Sequence, residues 1–114
     1  MALVQDVEIP ITTVKVDLAA SDSTKTLVAA PPADVKLKIY RISYISKTSA
    51  AQALAVATGA TNFLDLAASI TAHAIIDTGW LEGGITGVAA TALIATPSAA
   101  GPAGSFYVTY TLSK

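Results

Sequence analysis

Hydrophobic and polar residues alternate along three stretches of the chain, Thr13–Leu18, Val35–Ser46 and Ser105–Leu112. Because successive side chains of a β-strand point to opposite faces, this period of two predicts three half-buried strands. In the second stretch the alternation slips by one residue at Arg41. Such a slip predicts either a β-bulge or a strand that is buried on both faces.

Shorter apolar runs between turn residues predict further strands over 24–29, 74–78 and 89–96. The Ala-rich stretch 52–58 is interpreted as a strand, although a capping box before it and a glycine after it also fit a helix. Stretch 63–72 fits a short helical turn or an irregular strand. Together, seven or eight short strands predict an all-β sandwich or barrel.

The first residues are predicted to form an extended arm, residues 1–13. Pro10 lacks a backbone donor, which favours an edge or extended segment over a central strand. An extended arm can add as a strand to the sheet edge of a neighbouring protein. We therefore predict an arm over 1–13 and one β-sandwich domain over 14–114.

Composition narrows the class of protein. Of the 114 residues, 53% are hydrophobic and only 13% are charged, which excludes intrinsic disorder. The net charge of -1 gives no overall basic field for nucleic acid.

Six of the seven basic residues lie between Lys15 and Lys47, and few charged residues follow. Either the residues after Lys47 form a nearly uncharged surface that water covers, or copies of the chain or a partner cover that surface. We favour the second interpretation, because monomers rarely expose large apolar areas.

No segment predicts insertion into a membrane or export by a signal peptide. Asp6 and Glu8 stand where a signal peptide would carry lysines. The longest uncharged stretch, Gly83–Ser113, contains glycines and prolines that would break a spanning helix. There is no cysteine, which excludes disulfides and thiolate catalysis.

No group of residues predicts an enzyme, a cofactor or a metal site. His73 is the single histidine, and no nucleophile-elbow motif accompanies it. Asp65, Asp77 and Glu82 do not have the spacing of an EF-hand loop. The glycines of 83–87 lack the lysine and helix of a phosphate-binding loop and are interpreted as a loop. A basic and aromatic cluster in the strand after Val35 is interpreted as a solvated outer face, although such a strand can also stack single-stranded nucleic acid. Its members are Lys36, Lys38, Tyr40, Arg41 and Tyr44.

Trp80 has two interpretations, an anchor in or at the rim of the core and a hot spot of an interface, where tryptophan is favoured. In the closing stretch, Tyr107 and Tyr110 are predicted to face opposite ways. Candidate interface residues are the apolar residues of the arm together with three aromatic residues: Val4, Val7, Ile9, Ile11, Trp80, Tyr107 and Tyr110.

Five segments give the chain a resemblance to a known family: Thr26–Pro31, Val35–Ile42, Asp77–Glu82, Ala92–Pro97 and Gly104–Tyr110. In their order and pattern they resemble the small jelly-roll decoration, or cement, proteins of tailed bacteriophage capsids. The resemblance covers residues 24–112, and the Ala-rich stretch 49–74 departs from it. It implies a jelly-roll-like β-sandwich of about eight antiparallel strands with an N-terminal arm.

The resemblance also implies a function. Such a protein is a non-enzymatic virion component that binds the outer surface of the capsid as a homotrimer at (quasi-)three-fold sites. Its partners are its own copies and the major capsid protein, and it is made in the host cytoplasm. Two alternatives are a head-fibre, spike or tail module, and a carbohydrate-binding jelly roll that uses Trp80, Tyr107 or Tyr110 as a sugar platform.

Overall fold

A computed structural model describes residues 11–49, 52–66, 73–99 and 101–113. In these ranges no helix is long and apolar enough to cross a membrane. The described residues form nine β-strands: β1 (Thr12–Leu18), β2 (Lys25–Val28), β3 (Lys36–Ser46), β4 (Leu54–Thr58), β5 (Thr61–Leu66), β6 (Ile75–Asp77), β7 (Ile85–Thr86), β8 (Leu93–Pro97) and β9 (Gly104–Ser113).

The strands form two antiparallel sheets. Sheet A has the order β1-β9-β3-β6, and the short strand β7 pairs with β3 on the same side as β6. Sheet B has the order β2-β8-β4-β5. All pairs of neighbouring strands are antiparallel. The predicted all-β sandwich is therefore confirmed, with nine strands in the described ranges.

The core lies between the two sheets and takes apolar side chains from both. The largest fully buried side chains are Tyr44 and Phe106, whose ring centroids are 4.5 Å apart. Burial raises the pKa of the Tyr44 phenol. Gly104 lies against the Tyr44 ring, and a Cβ there would be 2.7 Å from it. The buried apolar residues are Leu18, Leu27, Val28, Leu37, Ile39, Ile42, Tyr44, Leu54, Val56, Leu93, Ala95, Phe106 and Val108.

The slip in the alternation of β3 is a β-bulge, as one of the two interpretations predicted. Ile39 lies opposite Tyr110 and Arg41 lies opposite Thr109, so Tyr40 is the extra residue. The alternative of a strand buried on both faces is wrong, because Lys36, Arg41 and Ile45 are exposed. The bulge turns two successive side chains, Tyr40 and Arg41, away from the core.

The ambiguous middle of the chain is a hairpin. The strand interpretation of 52–58 is confirmed by β4, and β5 follows after a turn in which Gly59 has a φ of +56°. For 63–66 the helical alternative is wrong, and 67–72 lies outside the described residues. The predicted strand over 89–96 is shorter at its start, because β8 begins at Leu93.

One edge of sheet A is an interrupted segment, residues 73–90, which we call the broken edge. Backbone N–H groups of His73, Thr78 and Ala90 donate to carbonyls of β3 or of the residue before it, at 2.8–3.0 Å. β6 and β7 are the only strands within this segment. The interpretation of 83–87 as a loop therefore missed β7, which occupies two of its residues.

The arm prediction is testable only at its end. β1 begins at Thr12, so Thr12 and Thr13 of the predicted arm lie in sheet A, paired with Tyr110 and Thr109. Ile11 is 52% exposed. The other predicted arm contacts, Val4, Val7 and Ile9, lie outside the described residues.

Candidate interaction surface on the outer face of sheet A

The side of sheet A that faces away from the core, here called the outer face, carries a row of side chains across four strands. Lys15 lies opposite Tyr107, Tyr107 opposite Ser43, and Ser43 opposite Asp77. These residues share one face because they alternate with the buried residues of the same strands. The row therefore crosses the whole width of the sheet.

Two stacked aromatic rings, Tyr40 and Trp80, lie at one end of the outer face. Their ring centroids are 5.0 Å apart and their planes differ by 17°. Trp80 is 54% exposed, so it is not a core residue. The bulge directs Tyr40 outward, and the stack covers one side of the indole and leaves more than half of the tryptophan to solvent.

The loop that carries Trp80 is held in place by hydrogen bonds to β3. The Thr78 N–H donates to the Ile42 carbonyl at 3.0 Å, and the Leu81 N–H donates to the Tyr40 carbonyl at 2.7 Å. The loop turns back towards β3 at Gly84, which has a φ of +74°. A Cβ on Gly84 would lie 2.7 Å from Cγ of Lys38 and 3.1 Å from the Tyr40 ring, so only glycine fits here without displacement.

An ion pair lies between the two ends of the outer face. Nε of Arg41 donates to both carboxylate oxygens of Asp77 at 3.1 Å, and the terminal guanidinium nitrogen Nη2 also contacts this carboxylate. The Gly79 N–H donates to the same carboxylate at 2.8 Å. The guanidinium hydrogen bonds, followed by that of Gly79, lower the pKa of Asp77 to about 2. The pair is therefore charged on both sides at neutral pH, and it adds no net charge to the face.

Three exposed apolar side chains form the other end of the outer face, here called the apolar patch. Ile45 lies opposite Ile75 on the neighbouring strand β6. Tyr107 of β9 lies opposite Ser43, two residues before Ile45 and on the same face. Ile75 is 71% exposed, and Ile45 and Tyr107 are each 36% exposed. Adjacent exposed apolar side chains on one face of a sheet are typical of a surface that contacts another protein.

The three aromatic residues predicted as interface residues lie on different sides of sheet A. Trp80 and Tyr107 lie on the outer face, whereas Tyr110 points to the inner side and packs against the core. The prediction that Tyr107 and Tyr110 face opposite ways is therefore confirmed. Sequence reasoning named Tyr40 only in the basic and aromatic cluster of β3, and it did not name Ile45 or Ile75. The placement of Tyr44 on the solvated face is wrong, because its side chain is fully buried. The slip at Arg41 was a usable signal for Ile45, because it places this isoleucine at an outward position.

Tyr110 lines a cleft of about 400 Å³ at one end of the sandwich. The cleft lies between the end of β9 and the connection from β2 to β3, where Pro31 and Leu112 contribute to its walls. Tyr110 is the one ionisable residue among the described residues that line it. The cleft has the lining of an apolar recess, and it offers no acid and base pair for catalysis.

The residues considered for metal or acid–base chemistry are dispersed. His73 is exposed, with a φ of +64°, and its N–H donates to the Ser46 carbonyl at 2.8 Å. Asp77 is engaged by Arg41, and Asp65 lies in the other sheet. Across the ranges that the structure describes, no three potential metal ligands lie together.

No protein-family model matches this chain, and no curated protein matches it.

Proposed function

We propose that this protein is a non-enzymatic virion structural protein that decorates and stabilises a phage capsid as a homotrimer at (quasi-)three-fold sites. It is made in the host cytoplasm and binds to the outer surface of the shell. The outer face of sheet A is the surface with which it contacts other subunits. The observation that carries the proposal is the exposure of Trp80 and of the apolar patch on this one face.

The composition of the outer face supports a contact with protein. Tryptophan and tyrosine are the residue types that most often dominate the binding energy of interfaces. The Arg41–Asp77 pair is already neutralised within the chain, so covering it leaves no unpaired charge. A partner that covers the Arg41–Asp77 pair therefore does not have to supply a compensating charge for it.

The distribution of charge supports assembly into a shell. After Lys47 the chain carries only three acidic residues and the terminal lysine. This charge-poor part includes the broken edge and β9, which supply much of the outer face. A lattice of neighbouring subunits provides a cover for such a surface, and the resemblance to decoration proteins is in accord with it.

The first experiment measures solution mass and virion content. Light scattering on a sizing column is expected to give a trimer of three times 11.5 kDa as the smallest assembly. Quantitative mass spectrometry of purified particles is expected to find many copies per capsid. A protein found in the infected cell and absent from particles would overturn the proposal. A few copies per particle would favour a fibre, spike or tail module instead.

The stacked pair also favours a second function, carbohydrate binding. A flat indole that is supported by Tyr40 and open to solvent is the type of platform on which a sugar ring packs, and Asp77 lies three residues before it. A glycan array separates the two functions. Binding of one glycan class that is lost in Trp80→Ala and kept in Thr26→Ala, a change on sheet B, would support this second function, and no binding would remove it.

A further inference from the structure

The edge of sheet A opposite the broken edge is a regular strand, β1. In the part of the chain that the structure describes, β9 is the one strand paired with β1, over seven consecutive residue pairs without a register shift. An edge strand turns every second N–H and C=O group away from its sheet, and these groups can pair with a further strand. β1 is therefore a template for strand addition.

The side chains of β1 are complementary to a second, antiparallel copy of the same strand. If Val16 lies opposite Val16 of the second copy, Lys15 lies opposite Asp17 and Asp17 opposite Lys15. In the same register Val14 lies opposite Leu18. Both ion pairs fall on the outer face and all apolar pairs fall on the core side, as β1 already sorts these side chains.

We infer that β1 pairs with β1 of a second copy about a two-fold axis at Val16, which joins two copies of sheet A into one continuous sheet. A two-fold contact uses the same surface on both subunits, which a self-complementary strand provides. Opposite charges that face each other across two strands are stabilising, and like charges are destabilising.

Neighbouring registers lack this match. A shift that centres the axis on Lys15 places two lysines opposite each other, and a shift to Asp17 places two aspartates opposite each other. A shift to Val14 brings Lys15 opposite Thr13 and leaves Asp17 outside the overlap. The register at Val16 is therefore the one of these four that pairs both charges.

Among the described residues, the contacts of β1 leave its charged side chains and its apolar side chains available for this pairing. Lys15 is exposed, and the Ser105 hydroxyl donates to Asp17 at 2.7 Å, which holds this carboxylate on the outer face. Val14 and Val16 pack against the core and are only half-buried, so a second strand covers their remaining surface. The contact thus adds apolar burial to the two ion pairs.

The inference stands independently of the proposed function. If the protein is a trimer, each β1 edge joins one trimer to the next; if it is a monomer, the contact gives a dimer. Neighbouring three-fold positions on a closed shell are related by two-fold axes, so a contact of this symmetry is compatible with decoration. A failure of the β1 contact therefore leaves the trimer and virion measurements unaffected.

A charge-exchange experiment on the full chain tests the pairing. Lys15→Glu places a glutamate opposite Asp17, and Asp17→Lys places a second lysine opposite Lys15, so each variant alone is expected to associate about tenfold more weakly than the wild type. A mixture of the two variants restores opposite charges at both positions and is expected to associate more tightly than either alone. Lys36→Glu, an exposed change on β3, is the matched control for net charge. Equal association of the mixture and of the separate variants would overturn the inference.

A cysteine experiment tests the register. Because the chain contains no cysteine, Val16→Cys introduces one thiol, which lies opposite its own copy at about 4.5–5.5 Å between Cα atoms. Oxidised glutathione is expected to link two chains, as seen by denaturing electrophoresis. In Val14→Cys the two thiols are four residues apart along the strand, about 13 Å, and no link is expected. No link in Val16→Cys, or equal linking in both variants, would overturn the inference.

Discussion

The two edges of sheet A differ in the regularity of their backbone. β1 is a regular seven-residue strand with one continuous register against β9. The broken edge follows β3 with two short strands, of three and two residues, joined by a loop. Its hydrogen bonds to β3 continue on both sides of that loop, but its backbone leaves the strand conformation at Gly79, Gly83 and Gly84, which have φ values of +72° to +74°.

This difference has a physical consequence for association. An interrupted edge presents no continuous row of free donors and acceptors, so it resists pairing with a further strand. The same interruption lifts Trp80 onto Tyr40 and builds the stacked pair. The broken edge therefore offers side chains to a partner, whereas β1 offers its backbone together with a self-complementary pattern of side chains.

The largest expected loss of stability comes from adding a side chain at Gly87, where the broken edge meets sheet B. Gly87 donates to the Leu37 carbonyl at 2.8 Å, and a Cβ there would lie 2.3 Å from the Thr58 hydroxyl oxygen. We expect Gly87→Ala to lower the free energy of unfolding by about 3 kcal/mol, as measured by chemical denaturation. In a Thr58→Ala background the same change should cost less, because the hydroxyl oxygen and the γ-methyl are gone and only the Cβ of residue 58, 3.0 Å away, still crowds the new side chain. An unchanged cost in that background would refute this contact as the cause.

The next two substitutions, both in the loop of the broken edge, distinguish the cost of backbone strain from the cost of side-chain crowding. Gly79 and Gly84 have φ values of +72° and +74°, but a Cβ on Gly79 would meet no atom within 4 Å. Gly79→Ala is expected to cost about 1 kcal/mol for the left-handed backbone alone. Gly84→Ala should cost about 2 kcal/mol, because Lys38 and Tyr40 must also move. Equal costs by denaturant unfolding would contradict the described position of Tyr40.

Removing Trp80 is expected to change stability little and binding strongly. Since the indole is more than half exposed, Trp80→Ala should lower the free energy of unfolding by about 1 kcal/mol, mostly through the lost stack on Tyr40. A loss of about 3–5 kcal/mol, typical of a buried aromatic residue, would place the side chain in the core and contradict the structure. Thermal or denaturant unfolding of the variant distinguishes the two values.

The smallest expected effect is a loss of stability at acid pH. The pKa of Asp77 is about 2 in the folded chain and 3.8 as the ordinary value. Because the folded pKa is the lower one, the stabilisation is present above about pH 4 and is lost as the pH falls towards 2. The pair is largely solvated, so we expect at most about 1 kcal/mol. Asp77→Asn should remove this part of the pH profile, and a profile unchanged in the variant would rule out Asp77 as its source.

The sequence predicted the regular parts of the fold and also β6, the strand expected over 74–78. It missed the rest of the broken edge for a physical reason. β1, β3 and β9 were predictable because each alternates with a period of two, and even the bulge appears as a slip in that alternation. Residues 78–84 hold their place by hydrogen bonds from a loop to β3, which leave no periodic pattern. The strand over 89–96 was predicted to begin too early because its first residues are apolar, although Ala90 has a φ of +54°.

The candidate site was predictable in part. Trp80 and Tyr107 were named from residue type, and the structure places both on the outer face. Ile75 was not named, because a short apolar run does not reveal which of its residues faces outward. The apolar patch depends on the register between β3 and β6, a long-range pairing that periodicity alone does not encode.

Binding to capsids tests the central proposal most directly. Under the proposal the chain is encoded by a phage, so undecorated capsids of that phage are mixed with wild-type protein, with Trp80→Ala or with Thr26→Ala. The bound fraction is measured by co-sedimentation. The proposal predicts saturable binding by the wild type and by Thr26→Ala, and strongly weakened binding by Trp80→Ala. Absence of wild-type binding, or equal binding by all three proteins, would contradict the assignment of the outer face as the contact surface.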